Sequence, residues 1–155
     1  MAQPLVAPDP ASVPLPAPVL SAPGGVPVPV RRLSDVVPDC ERLDAYRVAF
    51  EFQLVAASIC SSRRLGPLRD QLDRASVSIV LNISEGSGRF SPADKAHFYL
   101  IARGSAMECL AAVSLLHARS LVPPHLYRRS RSLLTRILAM LTRLAHAMQS
   151  RMWPR

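Results

Sequence analysis

Four arginines near the end of the chain, Arg128, Arg129, Arg136 and Arg143, carry its clearest chemical pattern. On a helix turning about 100° per residue they fall within about 100° of arc, with His125 and His146 beside them. Leu134, Ile137, Leu141 and Leu144 take the other side. A guanidinium keeps its charge and grips phosphate through paired N–H donors, so such a row suits a nucleic-acid backbone. Charge placement supports this. Residues 1–108 hold eleven basic and eleven acidic residues, whereas residues 109–155 hold eight arginines and no acid. The net charge of +8 therefore falls in the last third, where phosphate, an acidic protein or an anionic membrane surface would answer it. The ridge has almost no interleaved aromatics, which predicts backbone contact and no base-specific readout. The competing reading is a solvated face in a chain that uses arginine in place of lysine; Lys95 is its only lysine. Trp153 is a stacking or interface group, or part of a frayed end.

A second constellation is Asn82, Glu85 and Arg89 with Ser105 and Glu108. These predict an interhelical polar network, read either as a ligand or partner site or as a hydrogen-bond clasp that fixes register. Gly104 and Ser105 would then let the helices close up. Enzyme chemistry is poorly supplied. Asp94-x-x-His97 is at most half of a di-iron motif, which needs a second copy and two further carboxylates. His97, His117, His125 and His146 lack metal-ligand spacing. Gly86-Ser87-Gly88 follows a helical pattern and not a strand, against a nucleotide loop. Cys40, Cys60 and Cys109 are odd in number with no close pair, which fits neither a disulfide framework nor a zinc site. Reduced thiols and a cytoplasmic location are expected, with no catalytic activity, cofactor or metal.

Helices must position these residues. Leu43, Tyr46, Phe50, Leu54 and Ala57 step by three and four and predict the core face of a first helix, capped by Asp39 and ended near Arg63 and Arg64. Gly66-Pro67 breaks the chain. Leu68, Leu72, Ala75, Ile79 and Ile83 predict a second helix, ended by Gly86 and Gly88 in the left-handed cap conformation. Ser91-Pro92-Ala93-Asp94 opens a third, with Ser91 as cap and Phe98, Ala102, Ser105, Cys109, Ala112 and Leu116 facing inward. Pro123-Pro124 restarts the chain, and Leu134, Ile137, Leu141, Leu144 and Met148 keep a bundle rhythm. The fold class is therefore all-α: an antiparallel up-down-up-down four-helix bundle over residues 39–150. Ten of the fifteen prolines precede residue 40, so residues 1–38 read as a disordered Pro-rich arm, a spacer or a Pro-x-x-Pro ligand. Residues 151–155 read as a frayed end. No uninterrupted apolar run reaches the roughly 20 residues that span a bilayer, and the arm does not read as a signal peptide.

Gln71-Leu72-Asp73-Arg74-Ala75, Ser78-Ile79, Asn82-Ile83-Ser84-Glu85-Gly86, Gly88-Arg89 and Ile101-Ala102-Arg103-Gly104-Ser105-Ala106-Met107-Glu108 stand in an order and spacing that resembles the 23S rRNA intervening-sequence family. The resemblance runs from about Tyr46 to Leu144. It implies a four-helix bundle assembled as a ring, typically of five subunits. The fold is also similar to the accessory variability determinant of diversity-generating retroelements, a basic bundle ring that binds nucleic acid and a reverse transcriptase. Lys95 and His97 depart from the family pattern, which often has an acid and an arginine there. The reading that follows is a non-catalytic oligomeric scaffold, a pentamer by resemblance, binding RNA or DNA or a ribonucleoprotein through Arg128, Arg129, Arg136 and Arg143. The alternative is a protein–protein adaptor for an acidic partner, such as a reverse transcriptase or ribosomal component. No membrane role is expected, because the apolar face of the last helix is needed inside the bundle.

Overall fold

A computed structural model describes residues 37–62 and 65–152. Residues 1–36 of the arm predicted over 1–38, Arg63 and Arg64 expected at the end of the first helix, and residues 153–155 of the end expected to fray over 151–155 lie outside the described residues; Arg151 and Met152 are helical. A short 3₁₀ turn, Asp39–Arg42, leads into α1, Asp44–Cys60; α2 spans Pro67–Gly88, α3 Pro92–Ala118 and α4 Pro124–Met152. No strand occurs among the described residues. Short connections reverse the chain after each helix. α2 packs between α1 and α3, and α4 closes the bundle against α3 and α1, so α1–α3 and α2–α4 are its diagonals. The chain is an antiparallel four-helix bundle.

Each helix buries one stripe. Phe52, Leu72, Ile79, Ile83, Val113, Leu116, Leu134, Ile137 and Leu141 are fully buried, with Ala49, Ala56, Ala102, Ala106 and Ala145 between them. Alanine at so many core positions brings helix axes close while contributing little apolar area. The inward positions expected for α2, α3 and α4 are largely those observed.

α1 is rotated relative to its expected stripe. Its buried residues are Ala45, Val48, Ala49, Phe52, Ala56 and Ile59. Phe50 is 50% exposed and Leu54 56%; Ala57 is exposed, and Tyr46 and Leu43 are only partly covered. Both sides of this helix carry apolar residues at helical spacing, so periodicity alone does not choose between them. α3 resembles it. Ala102, Ala106, Cys109, Val113 and Leu116 face the core, while Leu100, Ile101, Met107 and Leu115 are exposed. This all-round apolarity makes α3 long and apolar enough, by length and composition alone, to cross a membrane, although Arg103 and Glu108 interrupt its apolar run.

The helix ends also differ from expectation. Asp39 belongs to the 3₁₀ turn; α1 is preceded by extended Leu43 and has no side-chain cap. Ser91 precedes α3 but caps nothing with its hydroxyl; its carbonyl accepts from the Lys95 amide at 3.0 Å. Gly86 and Gly88 are helical, and α2 ends because Arg89 is extended. The one described glycine with positive φ is Gly66 (58°), at the turn into α2. Gly86 serves a different purpose. A Cβ there would lie 2.8 Å from Tyr99 Cε1 and 3.1 Å from Phe98 Cβ, so its missing side chain lets α2 and α3 meet.

Candidate nucleic-acid interface

α4 owes its polarity to contrast. Ser130, Leu133, Leu134, Ile137, Leu141, Ala145 and Met148 face the core, and the opposite side is mostly charged or hydroxylated, with Ala139 among the arginines. Arg128, Arg129, Arg136 and Arg143 are all exposed. Arg128, Arg136 and Arg143 form no ion pair among the described residues. Arg129 differs: it donates to Glu51 Oε1 of α1 at 2.9 Å. That pair is well exposed and holds the guanidinium against the bundle.

Arg129, Arg136 and Arg143 recur every seven residues, about 10.5 Å apart along the helix. Each interval covers about three nucleotides of rise along one strand. α4 adds two arginines that the ridge pattern omits. Arg131 lies on the other flank and donates to Tyr127 Oη at 3.4 Å; Arg151 stands in the last turn. The cue was available, because all six arginines share a helix with no acidic residue. Arg143 also rims an open cleft of about 420 Å³ between α4 and the start of α1, whose wall includes Arg42, Leu43, Met140, Leu144 and Ala147. Asp44, paired with Arg47 at 3.2 Å, also lines this cleft, so its charge is mixed.

The second constellation is three separate clusters. Near mid-bundle, Asn82 Nδ2 donates to Ser78 O at 2.8 Å and Ser78 Oγ at 3.1 Å, and Ser78 Oγ meets Ser105 Oγ at 2.9 Å across the α2–α3 junction. Toward one end Glu85 pairs with Arg89, whose guanidinium lies 4.9 Å over the Phe98 ring. Lys95 Nζ reinforces that end by donating to Ser87 O at 2.7 Å. Toward the other end Glu108 Oε2 accepts from Gln71 Nε2 at 2.8 Å. Gln71 is eleven residues, about 16 Å, from Asn82, so Glu108 cannot share a site with it. Nor does Gly104 permit close packing: it is exposed, with nothing within 4 Å of where its Cβ would be. The clusters clasp α2 to α3. Ser78 and Gln71, the partners that make two of them interhelical, were missed because polar residues beside an apolar stripe have no distinct signature.

Among the described residues no three His, Cys, Asp or Glu gather as a metal-ligand group. Burial pushes the Cys109 thiol up to about 12 and the nearby Glu108 carboxylate adds to it. Burial likewise raises Cys60 to about 11, with Asp73 next in effect. Both remain thiols at neutral pH, the unreactive form.

A four-helix bundle bearing a cationic last helix is the class this geometry defines. The chain belongs to the 23S rRNA-intervening sequence protein family, whose model matches residues 41–143. The match takes in α1, α2, α3 and α4 as far as Arg143, so the four ridge arginines lie within it. Nothing among curated proteins matches the chain.

Proposed function

We propose that the protein is a non-catalytic, self-associating helical scaffold that binds RNA or DNA, bare or within a ribonucleoprotein, through the exposed face of α4. The observation that carries this reading is the set of three exposed guanidinium groups, Arg128, Arg136 and Arg143, with no carboxylate partner among the described residues, on a helix without an acid. An intramolecular partner would have spent that charge, as Glu51 does for Arg129. Counterion release makes the attraction salt-dependent and largely indifferent to sequence. Repeating the face in an assembly raises avidity without new contacts. A pentamer is the state the family resemblance favours.

Arg136→Glu with Arg143→Glu tests the reading. Fluorescence anisotropy with a labelled RNA and a DNA of the same length should show affinity falling by roughly 100-fold or more for both. Equal affinity for parent and double variant contradicts the assignment of α4. Retention of an acidic protein partner by nuclease-treated protein, with neither nucleic acid bound, replaces it with the adaptor reading.

A further inference from the structure

The two flanks of α4 differ in charge. Toward α1, Glu51 holds Arg129, and Asp44 lines the cleft beside Arg143. Toward α3 no carboxylate stands. α4 has no acid, and the two on α3 lie elsewhere: Glu108 accepts from Gln71 of α2, and Asp94 is nine residues from Arg103, about half a turn round the helix. On this flank Arg103 of α3 is exposed and donates through Nε to Thr142 Oγ1 of α4 at 3.0 Å. Arg131 of α4 is exposed on the same flank and donates to Tyr127 Oη at 3.4 Å. Neither arginine forms an ion pair among the described residues. Leu100 and Met107, exposed farther out on α3, bound this basic strip.

We propose that α4 lies between two phosphate-binding rows and that its ligand is double-stranded DNA. Arg129, Arg136 and Arg143 form the row toward α1; Arg131 and Arg103 form the row toward α3. The bond to Thr142 sets Arg103 level with Arg143, and Arg131 lies between the levels of Arg129 and Arg136, so the rows face each other across α4. They stand about 10–12 Å apart, the diameter of a helix with its side chains. Between them run Arg128, Ser132, Thr135, Ala139 and His146, and the small residues in the middle leave α4 free to lie close to its ligand. A single strand offers one line of phosphates and follows one row. A duplex offers two, on the edges of a groove, and the B-form major groove, about 12 Å wide, has room for a helix face. The A-form major groove of duplex RNA is too narrow to admit one. Phosphate contacts from both rows fix orientation and leave the sequence unread. The inference rests on the proposed binding at α4; it adds Arg103 and Arg131 to the site and names the form of nucleic acid.

Arg103→Ala with Arg131→Ala, both at exposed helical positions, tests the second row. Circular dichroism should match the parent. By fluorescence anisotropy at equal salt, the parent should bind a DNA duplex of about 20 base pairs at least about 10-fold more tightly than its single strands or an RNA duplex of the same sequence. The double variant should lose roughly 10-fold or more on the DNA duplex, with its salt slope flattened by about 1.8, and keep its single-strand affinity within about twofold. Arg103→Lys with Arg131→Lys keeps both charges and should keep duplex binding. Equal affinity of the parent for duplex and single strand overturns the inference, as does a tighter grip on duplex RNA, or an alanine pair that weakens both ligands alike or neither. The proposed function survives each of those results. It fails separately, when Arg136→Glu with Arg143→Glu leaves binding of every ligand unchanged.

Discussion

α4 and α1 both show apolar residues stepping by three and four, yet only α4 displays its orientation in the sequence. Six arginines and no acid mark α4's outer side, so its inward stripe is unambiguous. α1 has Tyr46, Phe50, Leu54 and Ala57 on one side and Val48, Ala49, Phe52, Ala56 and Ile59 on the other. The buried side mixes Val48, Phe52 and Ile59 with three alanines, and the outer side sets Ala57 beside Tyr46, Phe50 and Leu54. Alanines at the close approaches and large side chains between them fill a densely packed core together. Size of side chain is therefore a poor guide to the core of an alanine-rich bundle.

Two phenylalanines two residues apart offer the sharpest way to break this comparison. Phe52→Ala empties a fully buried site and should cost about 3–5 kcal/mol in denaturant unfolding. Phe50→Ala, at a half-exposed position, should cost less than about 1 kcal/mol. Similar losses for both, measured under monomeric conditions, would mean α1 is turned the other way.

Two helical glycines, Gly86 and Gly104, sharpen the same lesson on α2 and α3. Gly86→Ala drives a methyl into Tyr99 and Phe98, and the clash should outweigh the helix-propensity gain, for a net loss of about 1–2 kcal/mol. Gly104→Ala meets open space and should stabilise the protomer by about 0.5–1 kcal/mol. Thermal unfolding of the two variants under monomeric conditions should shift in opposite directions.

The smallest effect expected joins α1 to α4. Glu51→Gln removes the carboxylate that holds Arg129 and should change stability by less than about 1 kcal/mol, as for exposed ion pairs generally. It also releases the fourth ridge guanidinium, Arg129, from its partner. RNA affinity should rise by about threefold at low salt and converge with the parent at high salt.

Much of this structure was legible in the residues. The helix starts at Pro67, Pro92 and Pro124 follow from proline's fit to the first helical turn. The stripes of α2 and α4 follow from contrast between apolar and polar faces. What was not legible depends on neighbours. Gly86 reads as a terminator in sequence, and only the ring of Tyr99 reveals it as a point of close approach. Asn82 and Glu108 read as one network because a helical wheel records angle and discards height; they lie at different levels of the bundle. Arg129 reads like its ridge companions, and only the placement of α1 brings Glu51 to it. Pairings between elements are tertiary facts that a one-dimensional pattern does not carry.

The slope of log affinity against log salt for a single-stranded RNA tests the central claim most directly. Three unpaired ridge guanidinium groups per protomer, Arg128, Arg136 and Arg143, each engaging one phosphate, predict a slope of about −2 per protomer. Arg136→Glu with Arg143→Glu should flatten it by about 1.4 or more. A parent slope near zero, or the same slope in parent and variant, would contradict the account of α4 as the face that meets phosphate.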